Sequence, residues 1–190
     1  VAGVTFDQGY FDALYGRDAD PWQFRSSQYE KEKYAATLAA LPRASYRHLL
    51  ELGSSIGELT ALLAERAARV TGVETSPVAI AAARERCRIF PHVSFVQAHL
   101  PGGDWRDGAD AVVLSEVLYY LNARDIGRLG ERLMECAPAA DMVLVHWTGP
   151  TNYPMSGDDA AACFIDAMAS HRARTFRTPQ YRLDVLQRVT

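Results

Sequence analysis

The chain has 190 residues, of which 20 are Lys or Arg and 23 are Asp or Glu, for a formal net charge of −3. With 48% apolar residues it has the length and composition of one domain with a full hydrophobic core, which excludes a disordered or fibrous chain. The mild negative charge argues against non-specific attachment to phosphate backbones or anionic lipid, so neither a nucleic-acid nor a membrane partner is expected.

Residues 6–40 are a polar and aromatic leader in which 6–15 reads as a short helix, broken by Gly16-Arg17-Asp18-Ala19-Asp20-Pro21. Ser26 and Ser27 are candidate caps for a second helix, whose Tyr34, Leu38 and Leu41 recur at helical spacing until Pro42. From Arg47 the pattern changes to strands alternating with helices. Residues 48–52 read as a buried strand ending at Gly53, and 57–67 as a helix with Leu59, Leu62 and Leu63 inward. The next strand is 70–74, and the next helix is 76–88, capped by Ser76 with Pro77 at its first position. Strands follow at 92–97, 110–115 and 142–147, with helices near 117–121, 125–137 and 158–169. Closing strands at 173–178 and 181–189 are joined by too short a link for a parallel crossover, so they form an antiparallel hairpin.

The alternation calls for an α/β three-layer sandwich around a seven-stranded, mostly parallel sheet with an antiparallel C-terminal hairpin strand. One domain is expected, with residues 1–42 as an N-terminal helical lid and 43–190 as the cofactor-binding core. Cys87, Cys136 and Cys163 are odd in number and widely spaced, with no CxxC, so neither a disulfide framework nor a metal site is expected. The longest apolar runs, 111–114 and 142–145, are strand-sized, and no basic segment leads into an apolar stretch near residue 1. A cytoplasmic location is expected.

The strongest chemical signal is Glu51-Leu52-Gly53-Ser54-Ser55-Ile56-Gly57, a strand running through two glycines into a helix. Glu74, 21 residues beyond Gly53, ends the second strand, where a carboxylate can accept both hydroxyls of a ribose. Together they imply a nucleoside-containing cofactor. A pyrophosphate would want G-x-G-x-x-G, yet the later positions counted from Gly53 are Ser55 and Glu58. Glu51 and Glu58 are carboxylates where a phosphate would have to sit. A cationic, phosphate-free cofactor reverses the sign of both effects, which favours S-adenosylmethionine over a dinucleotide.

These segments, together with Val73-Glu74, Phe95-Val96-Gln97-Ala98-His99-Leu100-Pro101 and 110–121, resemble the successive motifs of class I S-adenosylmethionine-dependent methyltransferases, whose core is Rossmann-like. More narrowly, Asp20-Pro21-Trp22, Tyr29-Glu30-Lys31-Glu32-Lys33 and Glu116-Val117-Leu118-Tyr119-Tyr120-Leu121 resemble the nodulation protein S group. Those enzymes N-methylate the free amine at the non-reducing end of a deacetylated chitooligosaccharide.

The resemblance implies that Glu51, Gly53, Ser54 and Gly57 line the methionine part of S-adenosylmethionine, and that Glu74 with Thr75 holds the ribose. It implies that Ala98, His99 and Leu100 meet adenine, with His99 where the family usually has an acid. Ser115 faces the transferable methyl, while Trp22 and Lys33 close over the site, Lys33 (or Arg25) pairing with the cofactor's carboxylate. Glu116 and His146 are the candidates to accept a proton from an amine acceptor, with Tyr119 walling the acceptor channel. Segments 104–105 and 150–156 are candidate acceptor-side loops. The expected product is S-adenosylhomocysteine, the acceptor a small molecule or oligosaccharide, and the protein a monomer or homodimer. An O-methyltransferase of a small metabolite, a nucleotide-dependent oxidoreductase and a non-catalytic cofactor-binding module stay open as alternatives.

Overall fold

The computed structural model describes residues 3–105 and 108–189. Seven strands, β1 (Leu49–Leu52), β2 (Val70–Glu74), β3 (Val93–Gln97), β4 (Ala111–Ser115), β5 (Asp141–Trp147), β6 (His171–Arg177) and β7 (Tyr181–Arg188), form one sheet. Their order is β3-β2-β1-β4-β5-β7-β6. The first five run parallel, and β7 inserts antiparallel between β5 and β6. The expected α/β architecture and its C-terminal hairpin are both present. The order reverses at β1, so the crevice at the carboxyl ends of β1, β2 and β4 is the topological switch point, where open α/β sheets bind ligands.

The helices are α1 (Gln8–Arg17), α2 (Gln28–Ala40), α3 (Glu58–Leu63), α4 (Pro77–Arg86), α5 (Ala123–Cys136) and α6 (Gly157–Ala167), with single 3-10 turns at Ala64–Arg66 and Leu118–Tyr120. Strand parity divides the core into two layers. Leu50, Leu52, Val112, Leu114, Met142 and Leu144 pack with α5 and α6 through Ile126, Leu129, Leu133 and Phe164. Leu49, Val113, Val143 and Val145 face the other way, against Tyr34 of α2 and Leu59 and Leu63 of α3. In α5, Ile126, Leu129 and Leu133 recur along one face, each fully buried and each stabilising the fold by about 2 kcal/mol. That helix starts where Asn122 accepts the Asp125 N–H at 2.9 Å.

Several local expectations are corrected. Helix α1 begins at Gln8 behind an Asp7 cap and continues through Gly16 to Arg17, its backbone ladder closing where the Asp18 N–H donates to Leu14 O at 3.2 Å. Leu62 is 37% exposed, and Thr60 takes the inward position because its hydroxyl donates to the buried Glu51. Ser76 precedes α4 but makes no capping bond; its hydroxyl donates instead to Asp12 of α1 at 2.8 Å. The leader is thereby fastened over the start of α4. Phe6 N–H donates to Tyr120 O at 2.9 Å and Thr5 donates to Asp125 at 2.6 Å, fastening its other end. Among the described residues, no helix is long and apolar enough to cross a membrane.

Candidate active site

Beyond β1 the chain turns through Gly53 (φ +82°), Ser55 (φ +48°) and Gly57 (φ +82°) before entering α3. A Cβ on Gly53 would lie 2.9 Å from the Val117 Cβ, and one on Gly57 would lie 2.9 Å from the Ala83 backbone. Both positions therefore require glycine for space as well as for dihedral angle. Ser55 carries a side chain in the same left-handed region, and its hydroxyl lies 2.5 Å from that of Tyr15 on α1. Gly53 and Ser54 both donate to the Val73 carbonyl, at 2.8 and 3.0 Å, which seats the loop beside the end of β2.

Glu74 ends β2, and its carboxylate is held by three backbone donors: Ser55 N–H at 2.9 Å on one oxygen, Thr75 and Ser76 N–H at 2.8 and 2.9 Å on the other. Burial raises its pKa above the ordinary carboxylate value, and the three donors oppose that rise. The side chain cannot swing away without orphaning these N–H groups, so its position is fixed before any ligand arrives.

Above these residues lies a cavity of about 360 Å³. Gly53, Glu74, Thr75, Ala98, His99, Leu100, Ser115 and Glu116 line it from the sheet edge. Trp22, Tyr29, Glu30 and Lys33 line it from the leader, and Tyr119 and Tyr153 from the far side. The aromatic wall is continuous: Tyr119 stacks on Tyr153 at 4.9 Å, and Trp22 stands edge-on to Tyr15 at 5.8 Å.

Glu116 follows β4 with a left-handed backbone (φ +55°), which aims its carboxylate into the cavity wall. One oxygen accepts from Lys33 Nζ at 2.6 Å; the other accepts from the Tyr119 hydroxyl at 2.6 Å and Trp147 N–H at 2.9 Å. Burial works to raise its pKa, but the Lys33 cation and these donors outweigh it, and the carboxyl stays below its usual range. Lys33 is only 1% exposed and also lies 2.9 Å from Glu30. Burial raises the Glu30 pKa, with Lys33 acting against it.

Other expected site residues lie off the cavity. His146 is completely buried, and by strand parity it shares the face of Met142 and Leu144. Its Nε2 accepts the Leu118 N–H at 3.2 Å, and burial pushes its pKa down to about 4. The imidazole is neutral with its accepting nitrogen already used, so it is not placed to take a proton from an acceptor. Trp147, the next residue, does reach the cavity. Glu51 lies behind the glycine loop, bonded by Thr60 at 2.5 Å, and burial pushes its carboxyl up to about 8. Glu51 and Ser54 line a separate pocket of about 30 Å³ there, together with Glu30 and Glu116. Gly57 supports the loop from outside the cavity. Arg25 reaches Glu58 at 3.4 Å.

Of the two candidate loops, Pro150, Thr151 and Tyr153 line the cavity, whereas Trp105 is core, under the Arg132 guanidinium at 4.1 Å. Sequence reasoning missed Tyr15 and Glu30 as cavity residues. For Glu30 a signal existed: it precedes Lys33 by three positions, so both share one helix face.

The family model described as Nodulation protein S (NodS) matches residues 14–136. Nodulation protein S of Bradyrhizobium diazoefficiens is 34% identical over 108 residues, covering 56% of this chain and 51% of that protein. The chain spans about half the length of the curated nodulation relatives it matches. The crystal structure of a methyltransferase candidate from Pseudomonas syringae is 35% identical, with a TM-score of 0.74 over 85% of this chain and 100% of that one. The N-methyltransferase NodS from Bradyrhizobium japonicum WM9, in complex with S-adenosyl-L-homocysteine, superposes with a TM-score of 0.82 at 17% identity, covering 96% of this chain and 98% of that one.

Proposed function

The chain belongs to the nodulation protein S family, and from that premise we propose that it transfers a methyl group from S-adenosylmethionine to an amine. The acceptor we favour is the free amine of a deacetylated chitooligosaccharide. The observation that carries the reading is the pairing of the Gly53 turn with Glu74 at the carboxyl edge of β1 and β2, opening on a cavity walled by three carboxylates, Glu30, Glu74 and Glu116.

That donor set fits the cofactor. The wall is acidic and aromatic, as a sulfonium and an ammonium require, and the Gly53 loop offers no cation for a phosphate. Glu74 would hold the ribose hydroxyls, with Thr75 beside it. Ala98, His99 and Leu100 would border the adenine, and Gly53 and Ser115 the methionine part. When bound, S-adenosylmethionine supplies an electrophilic methyl group and leaves as S-adenosylhomocysteine.

The chain's own work is alignment, exclusion of water and proton handling. Trp22, Tyr29 and the segment before residue 43 act as the lid. Glu116, ionised and held by Tyr119 and Trp147, orients the acceptor amine and takes the proton it must lose. Lys33, bonded here to Glu30 and Glu116, would be the residue to pair with the cofactor's carboxylate.

The test is transfer of isotope-labelled methyl from S-adenosylmethionine to glucosamine oligomers, their fully N-acetylated counterparts, and a panel of phenols and carboxylic acids. Labelling of the free-amine oligomers alone is expected. Labelling confined to phenols or carboxylates would replace the amine reading with O-methylation.

A further inference from the structure

We propose that Glu30 and Glu116 form a paired-carboxylate seat for the ammonium group of the acceptor, and that Lys33 occupies it as a placeholder in the ligand-free protein. The inference rests on the amine reading above and assigns the residues that recognise the amine.

The geometry is that of a bound ammonium. Lys33 Nζ lies 2.9 Å from Glu30, 2.6 Å from Glu116 and 5.0 Å from the centroid of the Tyr29 ring. Two carboxylates and one aromatic face converge on a single nitrogen, which matches the donors and charge of a primary ammonium. All four residues contribute to the cavity lining, so the seat borders the space that a ligand would fill. Tyr29 brings a buried hydroxyl that has no partner among the described residues, a spare polar group for a ligand that replaces Lys33.

Charge balance leads to the same place. Glu30, Glu74 and Glu116 against Lys33 leave the cavity wall two negative charges in excess. S-adenosylmethionine, with an ammonium and a sulfonium against one carboxylate, neutralises one of them. The other is matched by one acceptor ammonium. Two cations cannot share the Glu30–Glu116 seat without repulsion at low dielectric, so Lys33 must leave as the acceptor enters. The methionine carboxylate is the partner that draws it away. Cofactor binding therefore opens the acceptor site, and the amine binds second.

The test needs neither cofactor nor acceptor, so its outcome is separable from that of the methyl-transfer reading, which S-adenosylhomocysteine binding examines independently. Lys33→Ala empties the seat and leaves two buried carboxylates unmatched. Thermal unfolding of this variant is followed while ethylammonium, tetramethylammonium or sodium chloride is added at equal ionic strength. Ethylammonium should raise the midpoint saturably, at about tenfold lower concentration than tetramethylammonium, which has no N–H to donate. Wild type should not respond, and adding Glu30→Gln should abolish the response. Where Lys33→Ala does not fold, Lys33→Leu keeps an apolar stem and vacates the same position for the same titration. Equal responses to the three salts, or an ethylammonium response that survives Glu30→Gln, would overturn the seat.

Discussion

The Tyr15 hydroxyl lies 2.5 Å from the Ser55 hydroxyl, so α1 is tied to the one residue of the glycine loop that holds a left-handed backbone while carrying a side chain. A non-glycine residue in that region costs about 1 kcal/mol, and the Tyr15 bond offsets a similar amount. Tyr15→Phe should therefore lower stability by about 1 kcal/mol, and Ser55→Gly made on top of it should recover much of the loss by releasing the backbone. A double-mutant cycle in urea checks this. Strictly additive losses would mean that bond and strain are not coupled.

Glu51 sets a pH dependence of unusual sign for a carboxylate. Its folded pKa of about 8 stands above the ordinary 4.5, so the folded protein holds this proton more tightly than the unfolded chain. Its contribution is complete below about pH 4.5 and is lost as pH rises toward about 8. Glu51→Gln, which can still accept from Thr60, should gain on wild type across that window by an amount on the order of a few kcal/mol. Denaturation at a series of pH values measures the difference. A flat difference would show that Glu51 is ionised throughout.

His146 is expected to matter for folding and not for chemistry. Its Nε2 accepts the Leu118 N–H, and its folded pKa of about 4 lies below the ordinary 6.5. Its contribution is therefore complete above about pH 6.5 and is lost as pH falls toward about 4. His146→Ala leaves a buried donor unpaired and a void, costing about 2–4 kcal/mol. Methyl transfer by folded His146→Gln should stay within about threefold of wild type, whereas loss of a true proton acceptor would cost about a hundredfold or more.

The scaffold was readable because its signals are local. Residues 111–114 of β4 are an unbroken apolar run, Glu74 closes the strand Val70–Glu74, and Gly53 and Gly57 mark backbone angles that few other residues adopt. The same logic located Glu74, since a carboxylate closing that strand has one place to go. Parity at His146 was harder, because β5 is buried on both faces and its composition does not say which side looks to the cavity. Leu62 and Thr60 exchanged roles because a buried carboxylate, Glu51, needed a donor that hydrophobic spacing does not reveal. Tyr15, Glu30 and the Lys33 ion pairs depend on how the leader packs across the sheet edge, a relation between elements that no single segment carries.

Calorimetric titration with S-adenosylhomocysteine tests the central claim most directly, on wild type and on Glu74→Ala whose unfolding midpoint shows it to be folded. Saturable binding to wild type, weakened in the variant by about tenfold or more through loss of hydrogen bonds to a charged acceptor, is the expected result. No binding to wild type, or equal affinity in both proteins, would contradict the assignment of the Gly53–Glu74 crevice.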